Sequence, residues 1–253
     1  MSRQWIQIKN VANIEDLDVL LYLDPDHWVD NQIILKKFES YTVNFIIDFL
    51  RSLNKQAVCV DVGANIGYFT ILMSNFSNKV YSFEPVQEYF SILKDICLKN
   101  NIDKKVSLHN FALSSENKKV DVNITSESAT MYMLDGWEIK NLRDVESVQC
   151  FKMDDIIKEK VDIIKIDCDG HDPFVLQGAE GIIKEYKPII IIEVAKDYYL
   201  KSNWSFDKFY SYVTDLQYNM AIDTSRRNIL NRDSFLELKN MYYSSVNIIC
   251  MPT

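Results

Sequence analysis

AVCVDVGANIGYFTILMSNFSNKVYSFEP, which runs from Ala57 to Pro85, decides the fold of this chain. An apolar run ends in Asp61, a turn with two glycines follows, and apolar residues then recur at helical spacing before a second apolar run ends in Glu84. Continuous apolar runs are typical of parallel strands that are covered on both faces. The stretch therefore predicts a strand, a tight turn, a helix and a second strand, with an acid at the tip of each strand.

This arrangement predicts a ligand at the end of the strands. Ligands of parallel sheets bind beyond the carboxyl ends of the strands, and glycines such as Gly63 and Gly67 let the backbone come close to a ligand. Glu84 follows Gly63 by about 20 residues, where an acid can hydrogen-bond a ribose diol. We therefore expect a nucleoside-containing cofactor, although an ordinary strand-to-helix turn would use the same glycines.

The turn distinguishes between nucleoside cofactors. The dinucleotide pattern G-x-G-x-x-G needs a middle glycine to admit a pyrophosphate, whereas Ala64 and Asn65 follow Gly63 here. The form D-x-G-x-N-x-G instead resembles motif I of the class I methyltransferases, which bind S-adenosylmethionine. This resemblance implies that Asp61 faces the methionine ammonium group and that Glu84 faces the ribose hydroxyls.

Composition narrows the classes of partner. The 253 residues fit one large α/β domain, with or without a short extension. With 28 basic and 36 acidic residues, the net charge of −8 argues against a nucleic-acid partner. Five scattered cysteines without a C-x-x-C pair predict a reduced chain in the cytoplasm. The first ten residues, MSRQWIQIKN, contain no apolar signal core, and no stretch of the sequence approaches the length of a membrane span. Neither a signal peptide nor a membrane span is therefore expected.

Residues 1–56 are predicted to form an N-terminal extension before the cofactor unit. Trp5–Val11 and Leu17–Leu23 alternate well enough to be short strands, and Ser40–Leu53 has the apolar stripe of a helix. Asp24–Asn31 reads as a polar loop, in which His27 is either a ligand contact or solvated. Association into a homodimer through the N-terminal strands stays open.

Further elements follow the cofactor unit. Residues 126–144 form a long loop that either covers a ligand or caps the core. Residues Asn110, Phe111 and Ala112, at the end of the third core strand, are candidates for adenine contacts. The predicted elements are helix Val86–Asn100, strand Val106–Phe111, antiparallel strands Lys119–Thr125 and Val145–Lys152, strand Val161–Ile166, helix Pro173–Tyr186, strand Pro188–Ile192, helix Ser205–Leu216, and a closing antiparallel pair Tyr218–Asp223 and Val246–Met251.

A second cluster of acids is predicted at the tip of a buried strand, in the sequence IIKIDCDGHD from Ile163 to Asp172. Asp167, Asp169 and Asp172 lie here, and Glu193 ends the next strand. Acids this close repel one another unless some are protonated, hydrogen-bonded or bound to a cation. One solution is Mg²⁺ or Mn²⁺ held by some of the candidate ligands Asp167, Asp169, His171 and Glu193. The other is a metal-free site that holds the methionine ammonium and substrate hydroxyls.

Two basic side chains in this cluster are candidates for proton transfer. His171 is one of only three histidines and can act as a general base. Lys165 lies in an otherwise apolar strand on the same face as Asp167, and a buried ammonium without a partner is costly. Lys165 therefore either pairs with a strand-end acid, stabilises a developing alkoxide, or reaches solvent. The predicted catalytic residues are His171, Asp169 and Lys165.

Taken together, the motifs resemble the FkbM-type methyltransferase family between about Val58 and Val194. The usual family stretch K-I-D-x-E-G-x-E has aspartates at Asp169 and Asp172 here, which keeps the charge but shortens each side chain by a methylene. The matching segments are VDVGANIGYFT at Val60–Thr70, FEP at Phe83–Pro85, KIDCDG at Lys165–Gly170, VLQGAE at Val175–Glu180 and KPIIIIEV at Lys187–Val194.

This resemblance implies a Rossmann-like class I methyltransferase fold of the α/β class, with a mostly parallel seven-stranded sheet and an antiparallel last strand. Residues 57–253 would form that domain. Its expected cofactor is S-adenosylmethionine. The residues expected to bind the cofactor are Asp61, Gly63, Ala64, Asn65, Gly67, Phe69, Glu84, Pro85, Asn110, Phe111, Ala112 and Asp167.

The preferred reaction is transfer of a methyl group to a carbohydrate hydroxyl, on a nucleotide-activated sugar or a surface-polysaccharide precursor. A non-sugar hydroxyl of a polyketide, lipid or peptide is the alternative acceptor. A nicotinamide-dependent oxidoreductase and a non-catalytic binding protein are more remote alternatives. Arg226–Arg227 is either a diphosphate contact or a solvated turn, and the aromatic residues Tyr198, Tyr199, Trp204, Tyr242 and Tyr243 either line a sugar site or pack.

Overall fold

The computed structural model describes residues 3–11, 14–15, 17–125, 129–131, 141–224, 228–240 and 245–253, without the side chains of residues 198 and 200. The chain divides into two compact units, Met1–His109 and Asn110–Thr253. The boundary after residue 56, which was inferred from the sequence, stays a prediction. Predictions for Arg226, Arg227, Tyr242, Tyr243 and most of the 126–144 loop lie outside the described residues.

The first unit contains the predicted strand–turn–helix–strand pattern. Its three core strands, β3 (Val58–Val62), β4 (Lys79–Phe83) and β5 (Val106–His109), pair in parallel. Every residue of β3 is buried, which explains the continuous apolar run in the sequence. The elements of this unit are β1 (Gln4–Ile8), β2 (Val19–Leu23), α1 (Trp28–Ile34), α2 (Ser40–Ser52), β3 (Val58–Val62), α3 (Tyr68–Phe76), β4 (Lys79–Phe83), α4 (Gln87–Lys99) and β5 (Val106–His109).

The N-terminal strands are present, but the polar loop is shorter than predicted. β1 and β2 pair antiparallel with Trp5 opposite Tyr22. The prediction of a loop through Asn31 is wrong, because helix α1 begins at Trp28. The buried Asp30 carboxylate accepts the backbone N–H of Asp24 at 2.8 Å, which fixes the chain where it enters this helix.

The second unit contains the remaining strands and a second sheet. Its elements are β6 (Ala112–Leu113), β7 (Lys118–Ile124), β8 (Ala129–Thr130), β9 (Asp144–Phe151), α5 (Met153–Ile156), β10 (Ile163–Ile166), α6 (Asp172–Gly178), α7 (Glu180–Tyr186), β11 (Ile189–Ala195), α8 (Lys196–Lys201), α9 (Phe206–Asp215), β12 (Tyr218–Ile222), α10 (Arg232–Leu236), a 3-10 turn (Glu237–Asn240) and β13 (Ser245–Pro252).

The main sheet has seven strands: β3–β4–β5, in this order, in the first unit, and β12–β13–β11–β10, in this order, in the second. β10 and β11 are parallel, whereas β13 is antiparallel to both of its neighbours, β11 and β12. The α/β fold with a mostly parallel seven-stranded sheet and an antiparallel last strand is therefore confirmed. The predicted antiparallel pair β7 and β9 forms the centre of a separate four-stranded sheet, in the order β6–β9–β7–β8.

Two predicted elements of the second unit differ from the structure. The single helix predicted over Pro173–Tyr186 is broken at Ala179 into α6 and α7. A Cβ atom on Gly178 would lie 2.0 Å from the carbonyl oxygen of Ser114, so this position accepts no larger residue without backbone movement. Strand β11 continues past Glu193 to Ala195, and Glu193 therefore lies within the strand, opposite Asn247 of β13, instead of at the tip.

All five cysteines are free thiols, and four of them are buried. Among the described residues, no helix combines the length and apolar character needed to cross a lipid bilayer.

Candidate functional site

The carboxylate of Glu84, just after β4, is bonded to the glycine turn. Its Oε2 atom accepts the backbone N–H of Asn65 at 2.8 Å, and its Oε1 atom accepts the N–H of Val86 at 2.8 Å. Glu84 is only 4% exposed. The acid that the sequence assigns to ribose recognition is therefore held in one orientation beside the turn between β3 and α3.

The backbone of this turn has the conformation that its glycines permit. Gly63 has φ +77° and Gly67 has φ +93°, both in the left-handed region, and Asn65 also adopts a left-handed φ of 50°. The N–H groups of Gly63 and Ala64 both donate to the carbonyl oxygen of Phe83 at 3.0 Å. A Cβ atom on Gly67 would lie 2.5 Å from Cδ1 of Leu93, so this glycine also lets α4 pack closely.

Asp61 lies in a buried chain of polar groups. Its Oδ2 atom accepts the Thr70 hydroxyl at 2.6 Å, and the Thr70 and Ser82 hydroxyls are 2.7 Å apart. Asp61 is 1% exposed, and Phe69, beside Thr70, packs at 5.3 Å against the ring of Tyr68. These contacts join β3, α3 and β4 beneath the turn. The assignment of Asp61 to the methionine ammonium stays a prediction.

These residues fit a nucleoside cofactor. A carboxylate offers about four acceptor positions, so two backbone bonds to Glu84 are compatible with further bonds from a ribose diol. Gly63 and Gly67 have positive φ angles, which favour glycine, and glycine has no side chain that would fill the turn. The turn and the fixed acid are the two parts that a nucleoside site at strand ends requires.

The three candidates for adenine contacts lie in different surroundings. Strand β5 ends at His109, two residues earlier than predicted, and Asn110 is exposed. The ring of Phe111 packs edge-on against Phe151 with 4.8 Å between centroids. Ala112 is buried and begins β6. Their role in binding adenine stays a prediction.

In the second unit, Lys165 and Asp167 form an ion pair. The Nζ atom of Lys165 lies 2.7 Å from Oδ2 of Asp167, and the lysine side chain is 3% exposed against 31% for the aspartate. Of the three alternatives for Lys165, the structure shows the pairing with a strand-end acid. Since a buried ammonium without a partner is costly, this pair also fixes the direction of the Asp167 carboxylate.

The turn after β10 is closed by Asp172. Its carboxylate accepts the backbone N–H of Cys168 at 3.0 Å and that of Gly170 at 2.9 Å. Asp169, between them, has φ +46° and is followed by Gly170 at φ +91°. The Thr130 hydroxyl donates to the carbonyl oxygen of Asp169 at 3.0 Å. The backbone of Asp169 is therefore held from three sides, and its side chain is half-buried.

Burial changes the pKa of the acids around this turn. Burial and the nearby Asp167 carboxylate raise the pKa of Asp172 to about 7, against the lowering effect of its backbone hydrogen bonds. Burial raises the pKa of Glu193 well above its usual range, and the negative charges of Asp167, Asp169 and Asp172 raise it further. The carboxylates of this cluster thus repel one another and favour protonation of their neighbours, as the sequence predicts.

His171 is directed into the protein. Its Nε2 atom lies 3.0 Å from the hydroxyl oxygen of Ser114, and its ring stacks on Phe174 at 4.9 Å. The residue is 3% exposed, and burial together with Lys118 lowers the pKa of its imidazole to about 3. A neutral imidazole of such low basicity is a weak proton acceptor at neutral pH. Burial and low basicity weigh against the role of general base for His171, and that role stays a prediction.

The predicted metal ligands are not assembled. In residues 3–253, excluding the undescribed gaps, no group of three or more His, Cys, Asp or Glu side chains is placed to hold a metal ion. Asp167 is paired with Lys165, Glu193 lies inside β11, and His171 is directed towards Ser114. The structure therefore does not support the metal site predicted at Asp167, Asp169, His171 and Glu193.

Sequence reasoning missed the hydrogen bonds that hold the acidic turn in place. Asp172 carried a usable signal, because an aspartate at the start of a predicted helix commonly accepts backbone N–H groups. The sequence gives no signal for Thr130 or Ser114, because each lies far along the chain from its partner. Thr130 is 39 residues from Asp169, and Ser114 is 57 residues from His171.

Comparison with known families decides which of the expected classes this chain represents. The family model of the methyltransferase FkbM domain matches residues 61–220, well over half of the chain. The chain belongs to the FkbM methyltransferase family. It is an S-adenosylmethionine-dependent methyltransferase of the FkbM type, as its turn and strand-end acids indicate. No curated protein matches the sequence.

Solved structures share the fold. The methyltransferase FkbM from Methylobacillus flagellatus KT is 16% identical, with a TM-score of 0.50 over 87% of this chain and 52% of that one. This chain therefore spans about half the length of that FkbM protein. A putative rRNA methylase from Clostridium thermocellum is 10% identical, with a TM-score of 0.52 over 83% of this chain and 92% of that one. At these identities the similarity shows the fold alone.

Proposed function

We propose that this FkbM methyltransferase moves a methyl group from S-adenosylmethionine to a carbohydrate hydroxyl, on a nucleotide-activated sugar or a surface-polysaccharide precursor. The observation that carries the proposal is the acidic turn from Asp167 to Asp172, which presents a half-buried carboxylate at the end of a parallel strand. Hydroxyl groups both donate and accept hydrogen bonds, so a polar strand end of this kind suits them.

Most residues proposed for the cofactor belong to the first unit. Glu84 would accept the ribose hydroxyls, since its carboxylate is fixed beside the turn. Gly63 to Gly67 would admit the cofactor at the turn, and Asp61 would attract the methionine ammonium. The residues proposed around the adenine are Asn110, Phe111 and Ala112, and Phe69, Pro85 and Asp167 are the other residues proposed to bind the cofactor.

The bound cofactor supplies an activated methyl group on a positively charged sulfur. The acceptor oxygen forms the new carbon–oxygen bond as the carbon–sulfur bond breaks, and the hydroxyl proton passes to a protein group. We assign this proton to the Asp169 carboxylate, because Asp167 is paired with Lys165 and His171 is bonded to Ser114. The products are a methyl ether and S-adenosylhomocysteine. The enzyme contributes alignment and proton transfer.

A divalent ion is not needed for this scheme. A metal ion would lower the pKa of the acceptor hydroxyl and lessen the dependence on Asp169. Since the four candidate ligands are not assembled in the structure, we favour the metal-free form, and the experiment below separates the two.

The test is methyl transfer from labelled S-adenosylmethionine to a panel of nucleotide-linked sugars. Reactions are run with Mg²⁺, with Mn²⁺ and with a chelator, and cofactor binding is measured on the same samples. We expect turnover with at least one sugar and no effect of chelation. Turnover lost on chelation and restored by the ion would overturn the metal-free form. Cofactor binding with no turnover on any sugar would contradict the carbohydrate acceptor and move it to a polyketide, lipid or peptide hydroxyl.

Two variants test the assignment of the proton acceptor. Asp169→Asn should keep cofactor binding and lose most turnover, because an amide does not accept the proton. Glu185→Gln is the matched control, since it removes a carboxylate from the exposed face of α7. Unchanged turnover in Asp169→Asn would contradict the role of Asp169 as the proton acceptor.

A further inference from the structure

The second unit contains a cavity of about 490 Å³ directly after β11, a volume within the range of small-molecule sites. α8, α9, α10 and the 3-10 turn provide its walls. The lining residues that matter here are Lys196, Asp197, Trp204, Asp207, Leu236 and Lys239. The site described above does not include any of them. We call this space the α8–α10 cavity.

The polar groups of the α8–α10 cavity combine two ammonium and two carboxylate side chains. Lysine offers only donors and an ionised aspartate only acceptors. A phosphate group only accepts and an ammonium ligand only donates, so each would be opposed by one half of this set. A hydroxyl group does both and can satisfy either kind of neighbour. The set therefore suits a neutral ligand with several hydroxyl groups.

One of these carboxylates is already held in place. The Nε atom of Arg232 donates to Oδ1 of Asp207 at 2.8 Å, and an NH₂ group of the same guanidinium bonds the same oxygen. Asp207 is therefore fixed in direction in the lining of the cavity. A carboxylate fixed in this way keeps acceptor capacity for a ligand hydroxyl.

The apolar part of the cavity is rigid. The ring of Trp204 lies beneath the Nζ atom of Lys208 at 4.1 Å and packs edge-on against Tyr212 at 5.7 Å. Trp204 is only 3% exposed, and Tyr199, also in the lining, is fully buried. An apolar floor beside charged groups matches the two kinds of surface on a pyranose, whose C–H groups contact apolar surface while its hydroxyls bond polar groups.

The cavity is joined to strand β11 by a direct contact. The hydroxyl of Tyr199 donates to the carbonyl oxygen of Glu193 at 3.1 Å. β11, which carries Glu193, is parallel to β10, so the cavity after β11 and the acidic turn after β10 open at the same edge of the sheet. Ligands of parallel sheets bind at this edge.

We infer that the α8–α10 cavity binds the sugar ring of the acceptor. This inference rests on the proposed function and adds to it the place where the acceptor is recognised. In this proposal Trp204 and Tyr199 are packed in the protein and form the floor of the cavity, instead of the aromatic wall that the sequence suggests. The side chains that select the hydroxyls are Lys196, Asp197, Asp207 and Lys239.

The test uses methyl pyranosides as probes, in saturation-transfer NMR of the whole protein. The set contains the methyl glycosides of glucose, galactose, mannose and N-acetylglucosamine. Leu236→Trp fills the cavity without changing its charge. Leu98→Trp makes the same change at an exposed position on α4 that does not line the cavity. Thermal unfolding and S-adenosylmethionine binding are measured for each protein.

We expect at least one pyranoside to give a signal with the unmodified protein and with Leu98→Trp, and no signal with Leu236→Trp. Asp197→Asn and Lys239→Met should each weaken binding about tenfold or more, as expected for a hydrogen bond to a charged group. A signal that survives Leu236→Trp would overturn the location.

Absence of any signal with the unmodified protein would overturn the sugar-binding role of the cavity. S-adenosylmethionine binding, measured in the same samples, is expected to stay unchanged in the cavity variants. Intact cofactor binding together with sugar methylation would then show that the proposed function holds while the inference about the cavity fails. Turnover on a non-sugar acceptor would instead contradict the proposed function itself.

Discussion

The buried imidazole of His171 makes the folded state sensitive to acid. Its pKa is lowered from 6.5 to about 3, chiefly by burial and then by Lys118. In the unfolded chain the imidazole takes up a proton near pH 6.5, whereas the folded protein does so only near pH 3. Between these values the unfolded state binds more protons, so this contribution to stability is complete above pH 6.5 and is lost as the pH falls.

The size of the effect follows from the two pKa values. One pKa unit corresponds to about 1.4 kcal/mol. A pH of 5 is about 1.5 units below the pKa of 6.5, so the histidine is protonated in the unfolded chain but remains neutral in the folded protein. The free energy of unfolding therefore falls by about 2 kcal/mol. A loss of about 2 kcal/mol is a large part of the stability of a typical domain.

The assay is urea unfolding at pH 7.5 and pH 5 for the unmodified protein and for His171→Gln. Glutamine cannot titrate but keeps a polar group that can reach Ser114. We expect the unmodified protein to lose about 2 kcal/mol more than the variant between the two pH values. Equal losses in the two proteins would refute the reasoning, because they would show that His171 does not remain neutral in the folded state.

Three further variants test the positioning of the site. Lys165→Met removes the ammonium group that pairs with the partly exposed Asp167 carboxylate. Urea unfolding should show a free energy of unfolding that is lower by about 1 to 3 kcal/mol. An unchanged midpoint would contradict the importance of this ion pair. Gly67→Ala places a Cβ atom 2.5 Å from a leucine side chain of α4, at a position whose φ of 93° is left-handed. It should lower the free energy of unfolding by about 1 to 3 kcal/mol in the same experiment. Thr130→Val removes the hydroxyl that donates to the carbonyl oxygen of Asp169, and should lower kcat with an unchanged affinity for S-adenosylmethionine; Thr130→Ser should restore kcat, and an equal loss in both variants would contradict the hydrogen-bonding role.

Much of the fold could be predicted because its signals are local. The strand at Val58–Val62 is buried on both faces, so its sequence is a continuous apolar run. The turn after it needs positive φ angles, and Gly63 and Gly67 supply them. The bond between Asn65 and Glu84 spans 19 residues, and the usual spacing between the glycine turn and the acid of a nucleoside site covers this distance.

The errors come from contacts between distant parts of the chain. The break at Ala179 accompanies the approach of Gly178 to the carbonyl of Ser114. Glu193 lies inside its strand because β13 continues the pairing as far as Ala195. The low basicity of His171 depends on its burial against Ser114 and Phe174, and a sequence pattern does not report burial of this kind.

The most direct test of the account is equilibrium binding of S-adenosylmethionine, measured by isothermal titration calorimetry on the unmodified protein and on Glu84→Gln. Glu88→Gln, in the exposed first turn of α4, is the matched control. Loss of a hydrogen bond to a charged group should weaken binding about tenfold or more in Glu84→Gln, with the control unchanged and both variants folded by thermal unfolding. Equal affinity in all three proteins would contradict the claim that the glycine turn and Glu84 form the cofactor site.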